Sequence, residues 1–220
     1  MNTKDFYSWL MSMAIGGVCD GFDAHVIASV VSIAVFDGKG DGPALVEGLG
    51  LEADEIVALI GQIFPPAKPV FDQILSAEIE LSRPTDEEYL REYLGRYASC
   101  GKLSLILAAI IARRALQPHH LWQDLGLRNR RELSWLMERH FAGLAARNVH
   151  DMKWKKYLYR AICRDEGFTL CVAPSCNDCS DFDHCFGDEN GEDLVGHAPI
   201  ESPKYTIAGR IPHRGARPAI

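Results

Sequence analysis

Four cysteines fall within fifteen residues, Cys171, Cys176, Cys179 and Cys185, in the run CVAPSCNDCSDFDHC with C-x4-C-x2-C-x5-C spacing. Thiols this close in sequence can converge on one small inorganic object with no help from the rest of the fold. Thiolate sulfur is a soft, electron-donating ligand, so such a set selects zinc, copper(I) or iron–sulfur assemblies over hard cations. Disulfides are the competing use of cysteine. The chain holds seven cysteines, an odd number crowded toward one end, with Cys19 and Cys100 far from the rest. A disulfide framework belongs to small secreted chains, whereas a clustered set in a cytosolic chain points to metal or redox chemistry. We therefore read the cluster as reduced thiolate ligands, and Cys19 and Cys100 as core residues.

Spacing narrows the choice of metal. Structural zinc sites usually combine two short ligand pairs separated by a dozen or more residues. Here a single x2 pair is present and all four ligands share one loop, which makes a poor zinc ribbon. Iron–sulfur clusters more often draw several cysteines from one short stretch, and the spacing of the first three cysteines matches the plant-type ferredoxin run. The fourth cysteine departs from that run by following after only five residues. Spacing favours a metal–sulfur cluster and leaves zinc open.

The rest of the chain reads as all-α, a helical bundle-like domain over residues 1–167. No sustained two-residue alternation of apolar and polar side chains suggests strands. Phe22, Val26, Ile27, Val30, Val31 and Ala34 recur at helical spacing and end at a loop from Asp37 to Gly42. A second helix is expected from Glu52 to Phe64, stopped by Pro65 and Pro66. Thr85 with Glu88 resembles a capping box opening a helix to about Tyr97. A buried helix is expected over Leu103–Leu116, closed by Pro118. Asn129 with Glu132 opens another to about Phe141. Asp151 is expected to cap a last helix, to Glu166, with Gly167 as its stop.

That last helix has two faces. Trp154, Tyr157, Leu158, Ala161 and Ile162 share an arc with the spacing of a core-facing stripe. Lys153, Lys156, Arg160 and Arg164 form a basic stripe on another arc. The stripe, with Lys156, Arg160 and Arg164 as the candidates nearest the metal ligands, would offset the charge of a thiolate-ligated cluster or attract an oxyanion. A solvated helix face is the other reading. Cys163 reads as a partly buried structural cysteine, with a transient fifth thiolate as the other reading. His119 and His120 read as capping or packing residues at a helix start, with a nitrogen ligand or a partner contact as the alternative. The cysteine loop occupies 168–187. Residues 188–220, rich in Gly, Pro and acidic side chains, read as a flexible tail.

Composition excludes several classes. A net charge of −7 argues against nucleic acid, whose phosphates need a basic surface. The apolar stretches are shorter than the roughly 20 residues of a membrane span. Met1–Leu10 lacks a basic region followed by an apolar one, so no secretory leader is expected and the location is read as cytoplasmic. No catalytic nucleophile arrangement or phosphate-binding glycine loop is found, and the chain is not expected to be an enzyme.

Three ordered segments carry a specific resemblance. HLWQDLGL (His120–Leu127), MKWKKYLYR (Met152–Arg160) and the cysteine run together resemble the NifQ family of nitrogen-fixation proteins, and FDAHVIAS (Phe22–Ser29) is more loosely similar to its N-terminal region. The resemblance is strong over about 118–187, weaker over 22–116 and absent over the tail. It implies a molybdenum donor for assembly of the iron–molybdenum cofactor of nitrogenase. It further implies a Mo-Fe3-S4-type cluster on Cys171, Cys176, Cys179 and Cys185, molybdate as the metal source, and two partners: the cofactor scaffold and the nitrogenase reductase. The competing classes are a small iron–sulfur electron-transfer protein and a zinc-stabilised interaction module.

Overall fold

The computed structural model describes residues 1–15, 20–38, 40–167, 176, 179–180 and 182–198, and the described part is helical with no strand. The elements are α1 (Thr3–Ser12), α2 (Gly21–Asp37), α3 (Gly42–Leu49), α4 (Ala53–Ile63), α5 (Lys68–Ile74), α6 (Thr85–Gly95), α7 (Gly101–Ala115), α8 (Leu121–Asp124), α9 (Arg130–His140), α10 (Ala142–Ala145), α11 (Trp154–Asp165) and α12 (Phe182–Phe186). The amphipathic helices fall where periodicity placed them. Helix α8 begins directly after His120, at the helix start expected there, whereas α1, α3, α5, α10 and α12 were not anticipated. All of these but α1 run for about two turns or fewer and leave too few repeats for a period to register.

The core is organised around α2, which is buried along almost its whole length from Asp23 to Ala34. A helix apolar on every side belongs in the interior, and α1 and α3 pack directly against it. Helix α7 pairs with α6 and also meets α3 and α8, while α9 pairs with α8 and α10. Leu136, Met137, Phe141, Leu144 and Leu158 are completely inaccessible and join the same apolar cluster as Ile27, Val30 and Ile110. Each such side chain contributes roughly 1.5–3 kcal/mol by leaving water.

Helix ends show where local chemistry decided the outcome. The Asn129 side chain accepts hydrogen bonds from the backbone N–H groups of Arg131 and Glu132, so it caps α9 as expected. Gly167, at φ 82°, follows the end of α11 in the left-handed region that glycine favours. Two expected caps are corrected. Pro84 precedes α6 in an extended conformation, and Thr85 is already the first helical residue. Asp151 stands before a short extended link to α11 and binds the Arg130 guanidinium, so Lys153 occupies the cap position without a side-chain cap. Cys100 is also corrected: it is exposed, and its thiol donates to the Arg139 carbonyl at 3.2 Å. Cys19 lies outside the described residues.

The segment expected to begin a flexible tail at Asp188 is instead packed on the helices as far as it is described. Val195 is 2% exposed, and the side chains of Glu189 and His197 are 4% and 1% exposed. Composition misjudged this stretch because a few well-placed contacts, rather than many apolar residues, hold it down. Residues 199–220 lie outside the described part.

Candidate metal centre

Helix α11 presents its apolar arc, Trp154, Tyr157, Leu158 and Ala161, to the core. Tyr157 fastens it further by donating its hydroxyl to the Leu144 carbonyl at 3.0 Å. This orientation turns the basic stripe outward, where it meets Cys176, Asp183 and Cys185 of the described residues. The Lys153 backbone N–H donates to the Cys185 carbonyl at 2.8 Å, and Lys153 Nζ donates to the Asp183 carbonyl at 2.8 Å. Arg160 Nη1 approaches the Cys176 sulfur at 4.0 Å. Lys156 is exposed, and Arg164 faces Asp165 at 3.7 Å. Of the three basic candidates, Arg160 is the one with a described contact to a cysteine.

Cys176, Cys179 and Cys185 are all half-buried, and the Cys179 N–H donates to the Cys176 carbonyl at 3.3 Å. Cys185 sits on α12 and packs against the edge of the core together with Phe186. The Phe182 and Phe186 rings stack at 4.8 Å, which explains why a helical turn forms inside a stretch read as loop. Cys171 lies outside the described residues. Among the described residues, no group of three or more Cys, His, Asp or Glu side chains is assembled as a ligand set. The donor chemistry nonetheless suits soft metals, with three partly accessible thiols and a guanidinium beside one of them.

The first two resemblance segments meet in space. His120 caps α8, and its backbone N–H donates to the Gln123 side chain at 3.3 Å. His119 Nδ1 lies 3.1 Å from the buried Asp124 carboxylate. The other carboxylate oxygen of Asp124 accepts from Lys155 of α11 at 2.5 Å. Burial pushes the Lys155 ammonium down and Asp124 partly restores it. Arg114 Nε donates to the Asp124 carbonyl, also at 2.5 Å. Of the polar residues of HLWQDLGL, Asp124 binds α11 to the body through Lys155.

A second polar group occupies the face of α2 carrying FDAHVIAS. His25 Nε2 donates to Glu132 at 3.0 Å, while Tyr7 donates its hydroxyl to His25 Nδ1 at 2.8 Å. Arg128 pairs with the same carboxylate at 2.9 Å. Burial lowers the His25 pKa, with Arg128 adding to the effect, so the ring is held neutral. Burial would raise the Glu132 carboxyl, but its hydrogen bonds to His25 and Arg128 more than offset this and hold it ionised. His140 bridges Asp23 at 3.1 Å and Ser104 at 3.0 Å. Asp23 and His25 are therefore satisfied core groups. Sequence reasoning had not singled out Arg130, Glu189 or the His25 group, since their partners are far apart along the chain.

A helical body with Cys176 and Cys185 beside the basic edge of α11, among three half-buried thiols, defines a candidate soft-metal-binding protein. The NifQ family model matches residues 26–187. The chain is 42% identical over 173 residues to "Protein NifQ homolog" of Sinorhizobium fredii, covering 78% of this chain and 74% of that one. It is 38% identical over 151 residues to "Protein NifQ" of Rhodobacter capsulatus, covering 67% and 79% respectively. The Klebsiella pneumoniae protein of that name is 34% identical over 155 residues, covering 68% and 90%. No solved structure matches the chain. The chain belongs to the NifQ family of nitrogen-fixation proteins.

Proposed function

We propose that this chain is a molybdenum carrier for assembly of the nitrogenase iron–molybdenum cofactor, not an enzyme. Cys171, Cys176, Cys179 and Cys185 hold molybdenum, acquired from molybdate, as part of a molybdenum–iron–sulfur cluster of the Mo-Fe3-S4 type. The cofactor scaffold and the nitrogenase reductase are its partners. The observation that most supports this reading is the partial exposure of Cys176, Cys179 and Cys185, with Cys176 and Cys185 beside α11, in a chain of this family. A carrier must grip its cargo and also give it up. Thiolates at a surface can let go one at a time as ligands of a partner take their place, with no net redox change in the exchange itself. A closed core site would require unfolding for the same transfer. Arg160 places positive charge beside Cys176, where it would offset the negative charge of a thiolate-ligated cluster.

Anaerobic purification from nitrogen-fixing cells, followed by elemental analysis and transfer to the scaffold, tests the reading. Molybdenum together with iron is expected. Replacing any one of the four cysteines by serine should remove the metal and leave helical circular dichroism unchanged. Iron alone would indicate an electron-transfer protein, and zinc alone an interaction module. Either result would overturn the proposal.

A further inference from the structure

Beyond Cys185 the chain does not leave the surface but crosses the helical body, held at successive points. Glu189 enters first, its buried carboxylate 3.3 Å from Arg130 and 3.6 Å from the His120 ring. Arg130 also donates to the carbonyls of Asp151 and Met152, at 2.7 and 3.0 Å, so one guanidinium joins the link before α11 to the chain after the cysteines. Gln123 then donates to the Glu192 carbonyl at 3.1 Å. Asp193 folds the next turn by accepting from the N–H groups of Val195, Gly196 and His197. Val195 is seated over Gly126. The His197 ring is oriented by Asp193 at 2.9 Å, lies 3.2 Å from Ser29, and meets the Tyr7 ring edge-on at 4.4 Å between centroids.

We infer that residues 189–197 form a strap that fixes Cys185 in place, with Glu189 as its principal positioning residue. Cys185 is pinned on one side by Lys153 and, four residues on, by the Glu189–Arg130 pair. With both ends held, the backbone that carries the thiol has little freedom to turn away. The family model stops at residue 187, so the strap lies beyond what that model describes. Its value for cargo handling rests on the carrier reading above, whereas its hold on Cys185 depends on the chain alone.

The test measures site-resolved alkylation of Cys185 in the full-length, metal-free, reduced protein, by mass spectrometry. The exposed Cys100, held by Arg139, serves as internal reference. Two variants separate positioning from general stability. Glu189→Ala removes the anchor, whereas inserting two glycines between Gly187 and Asp188 keeps every strap contact and adds slack. Both should raise the Cys185 rate relative to Cys100 by about tenfold, as expected when a local opening equilibrium is eased. The insertion should leave the melting temperature unchanged. Relative rates within about twofold of the parent for the insertion would overturn the strap, whatever Glu189→Ala does, because slack would then have no consequence. Iron and molybdenum contents of anaerobically prepared protein give a separate answer. Parent protein without molybdenum removes the carrier reading and leaves the strap standing. Metal-loaded parent with an insertion variant that holds and transfers molybdenum equally well removes the strap's role in cargo handling.

Discussion

Lys153 donates its backbone N–H to the carbonyl of Cys185 at 2.8 Å, joining the first turn of α11 to the last of the four cysteines. Its φ of −50° lies within proline's range. Lys153→Pro therefore deletes this donor with little change of backbone shape, at a cost of about 1 kcal/mol. Amide hydrogen exchange over residues 182–187 should accelerate in Lys153→Pro, and less so in Lys153→Ala, which keeps the backbone bond and loses only the ammonium contact to Asp183. Equal protection in the proline variant and the parent would show that this bond does not hold the segment.

Arg160 and Lys156 lie one turn apart, and only the former has a described contact with a cysteine. Arg160→Glu should reduce molybdenum retention by about tenfold or more, the usual effect of disturbing a group that supports metal ligands. Lys156→Glu, at an exposed position, should stay within about twofold. Elemental analysis after dialysis compares them. The same loss in both would restore the undifferentiated basic face.

Gly126 has φ 68°, and a Cβ there would lie 2.8 Å from the Ser29 carbonyl oxygen and 3.0 Å from Val195 Cγ2. Gly126→Ala should cost about 1–3 kcal/mol from backbone strain alone, with further loss from the contacts. At about 2–4 °C per kcal/mol for a chain of this size, the drop in melting temperature is easily measured. An unchanged transition would mean that the turn relaxes freely.

His25 is kept neutral in the fold, below its ordinary value of 6.5, by burial and by Arg128, while Glu132, Tyr7, Ser29 and His197 face it from the elements around it. The unfolded chain takes up a proton that the folded chain refuses. The stability due to neutral His25 is thus present above the ordinary value and is lost as pH falls toward the depressed one. Melting temperatures measured between about pH 7.5 and about pH 5.5 should fall with acidity, and His25→Gln should show a shallower fall. Parallel profiles would assign the acid sensitivity to other groups.

Much of the helical layout was legible in the sequence because it depends on neighbours. The apolar arc of α11, the Asn129 cap and the stop at Gly167 each act within a few residues. The cysteine spacing was equally local, and with the two preceding segments it was enough to point to the family. Misreadings arose where a residue had a choice of partners. Asp151 suited a cap but bound Arg130 instead, and Cys100 suited the core but stands exposed.

The chain's own order of residues thus determined its helical character, its thiol chemistry and its family. Only the folded arrangement decided that Glu189 meets Arg130, that His25 meets Glu132 and that His197 reaches Ser29. The physical reason is range. Periodicity and capping are set by interactions within a turn or two of helix. A buried polar or charged group must find a partner wherever the packing brings one, at sequence separations that no local pattern records.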